Sequence, residues 1–264
     1  MLTLFRLSVF ATVTPILALC QIIALFVPPF RNALPLFYHR LMCRLLGVRV
    51  RVHGDLPKPG TLIVCNHISW FDVVLLGAVL PVSFVAKSEV RGWPLFGWLA
   101  RLQRSVFVTR KRGRHTLRES QTLTKRLAQG DRLVLFAEGT SSDGIHILPF
   151  KSALFSAVET ACDSQESHSF TVQPAVLRYT AVHQIAMGRK RRISYAWVGE
   201  ATLMPHFLFM FATPPLTVDI LFPPPLPPAI LADRKAMARA SHQAVRDGLD
   251  NLMSGKLAGQ AENG

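Results

Sequence analysis

The sequence predicts an α/β fold in which one mixed, largely parallel sheet is flanked by helices. An N-terminal membrane-associated helix or helical hairpin is expected to precede this sheet. Two observations support the prediction. Short apolar runs of strand length alternate with helical patterns through most of the chain, as at residues 61–65 and 73–80. The chain also begins with a long apolar segment that is almost free of charge, which is typical of a membrane element.

The composition indicates a protein that associates with membranes. Half of the 264 residues are hydrophobic, 17% are charged, and the formal net charge is +14. A charge of this sign favours an anionic partner, either a nucleic acid or an anionic membrane surface. The apolar excess favours the membrane and argues against nucleic acid. The four cysteines are widely spaced and no histidines cluster with them, so neither a disulfide framework nor a zinc site is indicated.

Residues 1–47 are expected to form the membrane anchor or interfacial helices. No charged side chain occurs from Leu7 to Phe30, which is long enough to span a bilayer. A retained anchor is favoured over a cleaved signal peptide, because only Arg6 precedes the apolar run and no clear cleavage site follows it. Arginines crowd the far side, which predicts an inner-membrane protein whose catalytic domain faces the cytoplasm. An in-plane hairpin that turns at Pro28-Pro29 and continues over residues 34–46 is the alternative.

A main domain is expected over residues 48–228, followed by a C-terminal helix and tail over residues 229–264. Pro174 indicates that the strand around it lies at a sheet edge or begins there. The basic run 189–192 is expected in a turn, and the prolines of 223–228 indicate a rigid linker. Strands are predicted at 48–53, 61–65, 82–86, 105–109, 132–136, 172–177, 194–198 and 216–222, and helices at 73–80, 116–129, 148–162 and 229–253.

The segment 66–72, Asn-His-Ile-Ser-Trp-Phe-Asp, lies between a predicted buried strand and an apolar helix. Asp72, near the helix start, can accept a hydrogen bond from one ring nitrogen of His67 and leave the other nitrogen free as a base. A substrate that brings its own hydroxyl then needs no serine or cysteine nucleophile. We therefore interpret His67 and Asp72 as the base and the orienting carboxylate of an acyl transfer. Alone, the spacing also fits a surface or capping histidine followed by a helix N-terminal aspartate.

The order of four motifs resembles that of the glycerolipid acyltransferase family, which includes the bacterial 1-acylglycerol-3-phosphate acyltransferases. The resemblance covers most of the chain, and four blocks in order are far more specific than any one of them. The blocks are His67 to Asp72, the strand that ends in Arg110, the segment Phe-Ala-Glu-Gly-Thr-Ser at 136–141, and the apolar segment around Pro174; Lys87, Glu89, Pro94 and Gly97 also match the family between the first two.

The resemblance implies a membrane-bound enzyme that moves a fatty acyl group from a thioester to the free hydroxyl of a lysolipid. The donor would be acyl-CoA or an acyl carrier protein, and neither a metal nor a redox cofactor is implied. His67 would take the hydroxyl proton as the oxygen attacks the thioester, while Asp72 stabilises the imidazolium. The residues implied to bind substrate are Arg110, Glu138, Gly139, Thr140, Lys87 and Ser141.

Ser141 departs from the family pattern and raises the question of the acceptor. The family has an arginine there that is associated with the acceptor's phosphate, so a bidentate phosphate partner is lost. The segment from Glu138 to Gly144, followed by Leu-Pro-Phe-Lys, is also similar to the lyso-ornithine-lipid acyltransferases of the same superfamily. Because of the strong positive charge, we expect 1-acyl-sn-glycerol-3-phosphate as the acceptor, giving phosphatidic acid in phospholipid biosynthesis. Lyso-ornithine lipid is the alternative acceptor.

A basic protein that binds membranes or nucleic acid without catalysis is an alternative from a different class. The cationic runs at 110–114 and 189–192 are compatible with it. Aromatic residues are not interleaved with these runs, as stacking platforms for bases would require. This alternative also leaves the His67–Asp72 pair and the segment 138–140 without a role. No nucleic-acid partner is therefore expected.

Overall fold

A mixed sheet forms the centre of the protein, whose computed structural model describes residues 1–108, 114–163, 170–199 and 202–255. Within these residues the strands are β1 (Arg49–Gly54), β2 (Thr61–Cys65), β3 (Val82–Lys87), β4 (Val106–Val108), β5 (Arg132–Phe136), β6 (Thr171–Val182), β7 (Ile185–Ala186) and β8 (Leu216–Phe222). They lie in the order β1-β8-β6-β2-β5-β3-β4, and β7 pairs with β6. The antiparallel pairs among the described residues are β6 with β7 and β6 with β8, and the other pairs are parallel, so the prediction of a mixed, largely parallel sheet is confirmed.

Helices cover both faces of this sheet. Buried Leu46, Leu75 and Phe207 join an apolar core on one face, whereas Leu127 and Val245 join the core on the other. The helices are α1 (Leu2–Ala24), α2 (Pro28–Leu46), α3 (Asp72–Val79), α4 (Phe96–Leu102), α5 (Arg114–Ala128), α6 (Ser156–Asp163), α7 (Arg189–Tyr195), α8 (Leu203–Ala212) and α9 (Arg234–Ser254).

Strand β2 lies between β5 and β6, in the interior of the sheet. Because successive side chains of a strand point to opposite faces, Leu62 and Val64 enter one core while Ile63 and Cys65 enter the other. All five residues of the strand are buried. This double burial explains why the run reads as continuously apolar in the sequence. It also fixes the loop that follows, which carries the segment 66–72.

Helices α1 and α2 form an antiparallel hairpin packed on the sheet domain. Gln21 near the end of α1 donates a hydrogen bond to the Arg31 carbonyl at 2.9 Å. In the middle of both helices, the hydroxyls of Thr14 and Tyr38 lie 3.0 Å apart. Helix α1 is long and apolar enough to cross a membrane, and its apolar outer face indicates membrane association. The turn precedes Pro28 and Pro29, which occupy the first turn of α2, where proline is well tolerated.

The guanidinium of Arg6 ties this hairpin to the rest of the protein. It donates to the carbonyls of Leu45 and Leu46 at the end of α2, both at 3.1 Å. It also donates to the carbonyls of Phe211 and Thr213 at the end of α8, at 3.0 and 2.7 Å. Carbonyls at a helix C-terminus lack intrahelical partners, so one cation satisfies two helix ends. The N-terminal segment is thus a helical hairpin, one of the two forms expected for it.

Three local predictions are wrong. The expected strand at 194–198 and the expected basic turn at 189–192 are replaced by α7, which buries Tyr195 and exposes Arg189, Lys190 and Arg191. The reason is tertiary, because the end of α7 packs against α8. Of the two positions expected for Pro174, the sheet edge is wrong, since β6 is an interior strand, whereas the position near a strand start agrees with the structure. Pro174 lies near the start of β6, before its pairing with β8 begins at Val176, so its missing N–H costs no ladder bond on that side.

Candidate active site

His67 and Asp72 lie at the carboxyl end of β2, where the strand gives way to α3. Nδ1 of His67 lies 2.9 Å from Oδ2 of Asp72. A proton on Nδ1 satisfies this bond, so Nε2 carries the lone pair and can act as a base. The His67 side chain is 17% exposed, whereas that of Asp72 is fully buried. The predicted pairing of these two residues is therefore present in the structure.

The Asp72 carboxylate is held by three further hydrogen bonds. Its Oδ2 accepts from the backbone N–H groups of Ile68 at 2.6 Å and Ser69 at 2.9 Å. Its Oδ1 accepts from the hydroxyl of Tyr179 at 2.8 Å. Burial and the neighbouring Asp72 carboxylate raise the pKa of Tyr179 well above its usual value, so the hydroxyl remains a donor. A buried carboxylate with four donors has a fixed position and a compensated charge.

The loop after β5, which carries the motif at 136–141, holds the backbone of His67. Oε1 of Glu138 accepts from the His67 backbone N–H at 2.7 Å, and Oε2 accepts from the Leu148 N–H at 3.0 Å. The His67 carbonyl accepts from both the backbone N–H and the hydroxyl of Ser142, at 2.7 and 3.0 Å. Both backbone groups of His67 are thus fixed by the loop after β5. Burial raises the pKa of Glu138 to about 7.

Two further contacts fix the orientation of the histidine ring and its loop. The rings of His67 and Phe136 are stacked, with centroids 4.0 Å apart and planes inclined at 19°. The side-chain amide of Asn66 accepts from the Leu177 N–H at 2.8 Å and donates to the Leu177 carbonyl at 3.0 Å. Asn66 therefore continues the pairing of β2 with β6 beyond the last strand residue. The ring can move little without breaking one of these contacts.

A cavity of about 540 Å³ opens beside His67 and extends beneath the N-terminal hairpin. Its walls include Phe10 and Leu17 of α1 together with Met42 of α2. Phe207 of α8 also lines it, so the lining is mostly apolar. The cavity thus has one end at a histidine base and a long apolar interior, which suits a reactive group attached to a hydrocarbon chain.

The structure brings most of the predicted substrate-binding residues to this cavity, but not all of them. Glu138 is fully buried behind His67 and contacts backbone N–H groups, so its contacts are those of a positioning residue. Arg110 lies outside the described residues, although β4 ends opposite Lys87 of β3. The residues that line the cavity together with His67 are Lys87, Gly139, Thr140 and Ser141.

Gly139 and Ser141 shape the loop beside the cavity. Gly139 has a φ of +67°, and a Cβ there would lie 3.1 Å from Cδ of Lys151, so glycine suits both the backbone and the space. The hydroxyl of Ser141 donates to the carbonyl of Trp197. This bond ties the third motif to the segment between α7 and α8.

Sequence reasoning did not identify Tyr179 or the contacts of Trp70. The indole N–H of Trp70 donates to Nδ1 of His206 in α8 at 2.9 Å. Tyr179 lies 107 residues from Asp72 within an apolar strand, so no local spacing points to their contact. Tyr179 lies two residues beyond the strand predicted at 172–177, and this position after a strand end was the one available signal for it.

Comparisons with known proteins identify relatives of this chain. A family model described as Acyltransferase matches residues 49–178. The lyso-ornithine lipid O-acyltransferase of Brucella abortus (strain 2308) is 44% identical over 86% of this chain and 85% of that protein. The enzyme with the same name from Rhizobium meliloti (strain 1021) is 41% identical over 88% of this chain and 80% of that protein.

Two more distant relatives are named as acyltransferases of a different acceptor. The 1-acyl-sn-glycerol-3-phosphate acyltransferase of Neisseria meningitidis serogroup B (strain MC58) is 29% identical over 83% of this chain and 82% of that protein. The crystal structure of PlsC from Thermotoga maritima, a 1-acyl-sn-glycerophosphate (LPA) acyltransferase, superimposes with a TM-score of 0.65 at 22% identity. The superposition covers 96% of this chain and 95% of the Thermotoga maritima chain, which establishes a common fold.

Proposed function

The chain belongs to the acyltransferase family and is a lysolipid acyltransferase, and from this premise we propose that its acceptor is lyso-ornithine lipid. The observation that carries the proposal is the identity of 44% and 41% with two lyso-ornithine lipid O-acyltransferases, against 29% with a 1-acylglycerol-3-phosphate enzyme. The relatives therefore support the alternative acceptor better than the acceptor that the net charge led us to expect. Family membership also disfavours the non-catalytic alternative.

The lining of the cavity supports an acceptor without a phosphate group. Ser141 stands where a phosphate-binding arginine was expected, and its hydroxyl is engaged by a backbone carbonyl. Lys87 and Glu89 both line the cavity and contribute one charge of each sign. An amide-linked ornithine carries one carboxylate and one ammonium group, so opposite charges complement it better than they complement a dianionic phosphate.

In the proposed reaction, Nε2 of His67 takes the proton of the acceptor hydroxyl as its oxygen attacks the thioester carbonyl. Asp72 holds the ring and stabilises the imidazolium that forms. The tetrahedral intermediate then collapses with cleavage of the carbon–sulfur bond. The imidazolium returns its proton to the departing thiolate, so the products are an ester and a free thiol.

Glu138 and Tyr179 are proposed to act through the catalytic pair. Glu138 holds the backbone of His67, and Tyr179 holds the Oδ1 atom of Asp72 that His67 does not use. Neither group lines the cavity, so both are positioning residues. Such residues keep the base in the orientation that the reaction needs.

The apolar interior of the cavity is proposed to hold the acyl chain of the donor, either acyl-CoA or an acyl carrier protein. The hairpin α1–α2 would lie in the inner membrane with the active site facing the cytoplasm, where these donors occur. Three arginines in or just after α2, Arg40, Arg44 and Arg49, support this orientation.

The test is acyl transfer by the purified full-length chain with labelled acyl-CoA and one lysolipid at a time. Lyso-ornithine lipid is expected to react with a kcat/KM at least about tenfold higher than that of lysophosphatidic acid, which corresponds to roughly 1.4 kcal/mol of discrimination. Equal rates, or a preference for lysophosphatidic acid, would overturn the proposed acceptor. Transfer to neither lipid would contradict lysolipid acylation itself.

A further inference from the structure

The outer face of α8 consists of apolar side chains only. Met204, Leu208 and Phe209 are exposed by 58%, 45% and 36%. The helix carries no charged residue along its 10 residues, Leu203–Ala212, which is too short to span a bilayer. A helix that is apolar on its outer face as well as its inner face requires a covering other than water.

Helix α8 is continuous with the membrane-associated face of α1. The ring of Phe10 in α1 makes edge-on contacts with Phe207 and Phe211 of α8, with centroids 5.2 and 5.3 Å apart. The guanidinium of Arg6 bonds to the last carbonyls of α8, as described above. Near it, α1 exposes Leu4 and Phe5. Because α1 and α8 are in direct contact, their exposed apolar side chains belong to neighbouring parts of one surface.

Helix α7 adds a cationic border to this surface. The ring of Tyr195 at its end lies 5.2 Å from that of Phe209, and the Tyr195 carbonyl lies 3.2 Å from Nε2 of His206. Ile193 is 42% exposed beside the cations, so the border also carries an exposed apolar side chain. The exposed cations of α7 are Arg189, Lys190 and Arg191.

We propose that α7 and α8 form a second membrane-contacting surface, in which α8 inserts its apolar face at the headgroup level and α7 binds anionic lipid headgroups. Apolar insertion beside a row of cations is the pattern of interfacial helices on anionic bilayers. An acidic protein partner would account for the cations of α7 but not for the uncharged outer face of α8. The proposal does not depend on the identity of the acceptor.

The surface has a consequence for the active site. Trp70 lies between His67 and Asp72 in the sequence, and it is bonded to His206 of α8. Its ring also packs on that of Phe207, with centroids 5.5 Å apart. Contact of α8 with the bilayer therefore places the loop that carries His67 beside the lipid phase. A lysolipid can then reach the cavity without leaving the membrane surface.

The test is position-specific quenching in the full-length chain reconstituted in vesicles that contain an anionic phospholipid. An environment-sensitive fluorophore is attached to a cysteine introduced by Leu208→Cys or Ile193→Cys, in a chain whose Cys20 and Cys162 are replaced by serine. The matched control is Gln243→Cys on α9, which packs on the opposite face of the sheet. Lipids with a nitroxide near the headgroup are expected to quench the α8 label at least about threefold more than the α9 label. Equal quenching at the three positions would overturn the proposal.

A second arm tests the role of the charges. Neutralisation of α7 by Arg189→Gln, Lys190→Gln and Arg191→Gln is compared with Lys235→Gln, Arg239→Gln and Arg246→Gln on α9, which removes the same charge. The α7 variant is expected to lose the dependence of activity on anionic lipid, since each basic residue near such a surface changes affinity by about fivefold. The α9 variant is expected to keep it. If neutralisation of α7 weakens only the use of acyl carrier protein, while lipid dependence and quenching persist, the surface docks a protein and the proposal is wrong.

Discussion

The hydroxyl of Tyr179 donates a hydrogen bond to Oδ1 of Asp72 at 2.8 Å, while Oδ2 of the same carboxylate lies 2.9 Å from Nδ1 of His67. A strand in the interior of the sheet thus supports the orienting residue from behind. The geometry of the proposed catalytic pair therefore depends on a residue far from the motif in sequence, and this dependence can be measured.

Tyr179→Phe is expected to lower kcat by about tenfold or more with little change in KM, because a hydrogen bond to a charged group contributes roughly 1.5–3 kcal/mol. With one donor fewer, the Asp72 carboxylate stabilises the protonated imidazolium of His67 more strongly. The inactive protonated form therefore persists to higher pH, and the acid limb of the kcat/KM profile moves to higher pH. A pH–rate profile of the purified variant measures both effects. The control is Tyr195→Phe, which also removes a buried tyrosine hydroxyl but leaves Asp72 untouched. An unchanged acid limb in Tyr179→Phe would remove this residue from the account.

Glu138→Gln is expected to lower kcat by about tenfold to a hundredfold without changing the preference between acceptors. The glutamine amide can accept at one position only, so either His67 or Leu148 loses its partner for the backbone N–H. The kinetics are compared for lyso-ornithine lipid and lysophosphatidic acid, with Glu159→Gln on α6 as the control. A change in acceptor preference with an unaltered kcat would instead assign Glu138 to headgroup binding, as the family resemblance implied.

Glu138 also predicts a pH dependence of stability. Burial raises its pKa from 4.5 to about 7, so the folded protein binds this proton more tightly than the unfolded chain does. Its stabilising contribution is therefore complete below about pH 4.5 and is lost as the pH rises through about 7. Each pKa unit corresponds to about 1.4 kcal/mol, so a rise from 4.5 to about 7 corresponds to a loss of stability on the order of 3.5 kcal/mol over the full range. Apparent thermal midpoints of the wild type and Glu138→Gln at pH 5 and pH 7.5 measure it.

The apparent thermal midpoint of the wild type is expected to fall relative to that of Glu138→Gln as the pH is raised from 5 to 7.5. All other titrating groups are common to both chains, so the difference isolates Glu138. A difference that is the same at both pH values would mean that the buried carboxyl is already ionised at pH 5.

Ser141→Arg is expected to raise the use of lysophosphatidic acid relative to lyso-ornithine lipid by about tenfold, because an arginine there supplies a bidentate phosphate partner at the cavity. Ser141→Ala, which removes the bond to the Trp197 carbonyl but adds no charge, is the control and should keep the original preference. Competition between the two acceptors in the same vesicles gives the ratio directly. If the arginine variant remains active with an unchanged ratio, position 141 does not select the headgroup.

Local patterns predicted much of the fold and part of the site. The pairing of His67 with Asp72 follows from a strand end, a short loop and a helix start, all within one segment of the chain. The buried strand β2 and the polar loop after β5 could be recognised because each is bounded by residues of contrasting polarity. These features depend only on residues that are close together in the sequence, so a single sequence is enough to predict them.

Features that depend on distant contacts could not be predicted. Helix α7 replaces the strand expected at 194–198, since its end packs on α8. The side chain of Glu138 turns inward to the His67 backbone, a direction that the Glu-Gly-Thr pattern does not specify. Arg6 was interpreted as a charge before a membrane segment, yet it bonds to the ends of two helices. In each case the partner lies at least 11 residues away, and no spacing rule connects the two.

The measurement that tests the central claim most directly is the formation of ornithine lipid from lyso-ornithine lipid and acyl-CoA by the wild type and by His67→Ala in identical vesicles. Product is quantified by mass spectrometry, and the fold of the variant is checked by its thermal midpoint. The wild type is expected to form ornithine lipid, and folded His67→Ala to do so at least about a thousandfold more slowly, since the base of the reaction is gone. A folded His67→Ala that acylates lyso-ornithine lipid as fast as the wild type would contradict the account.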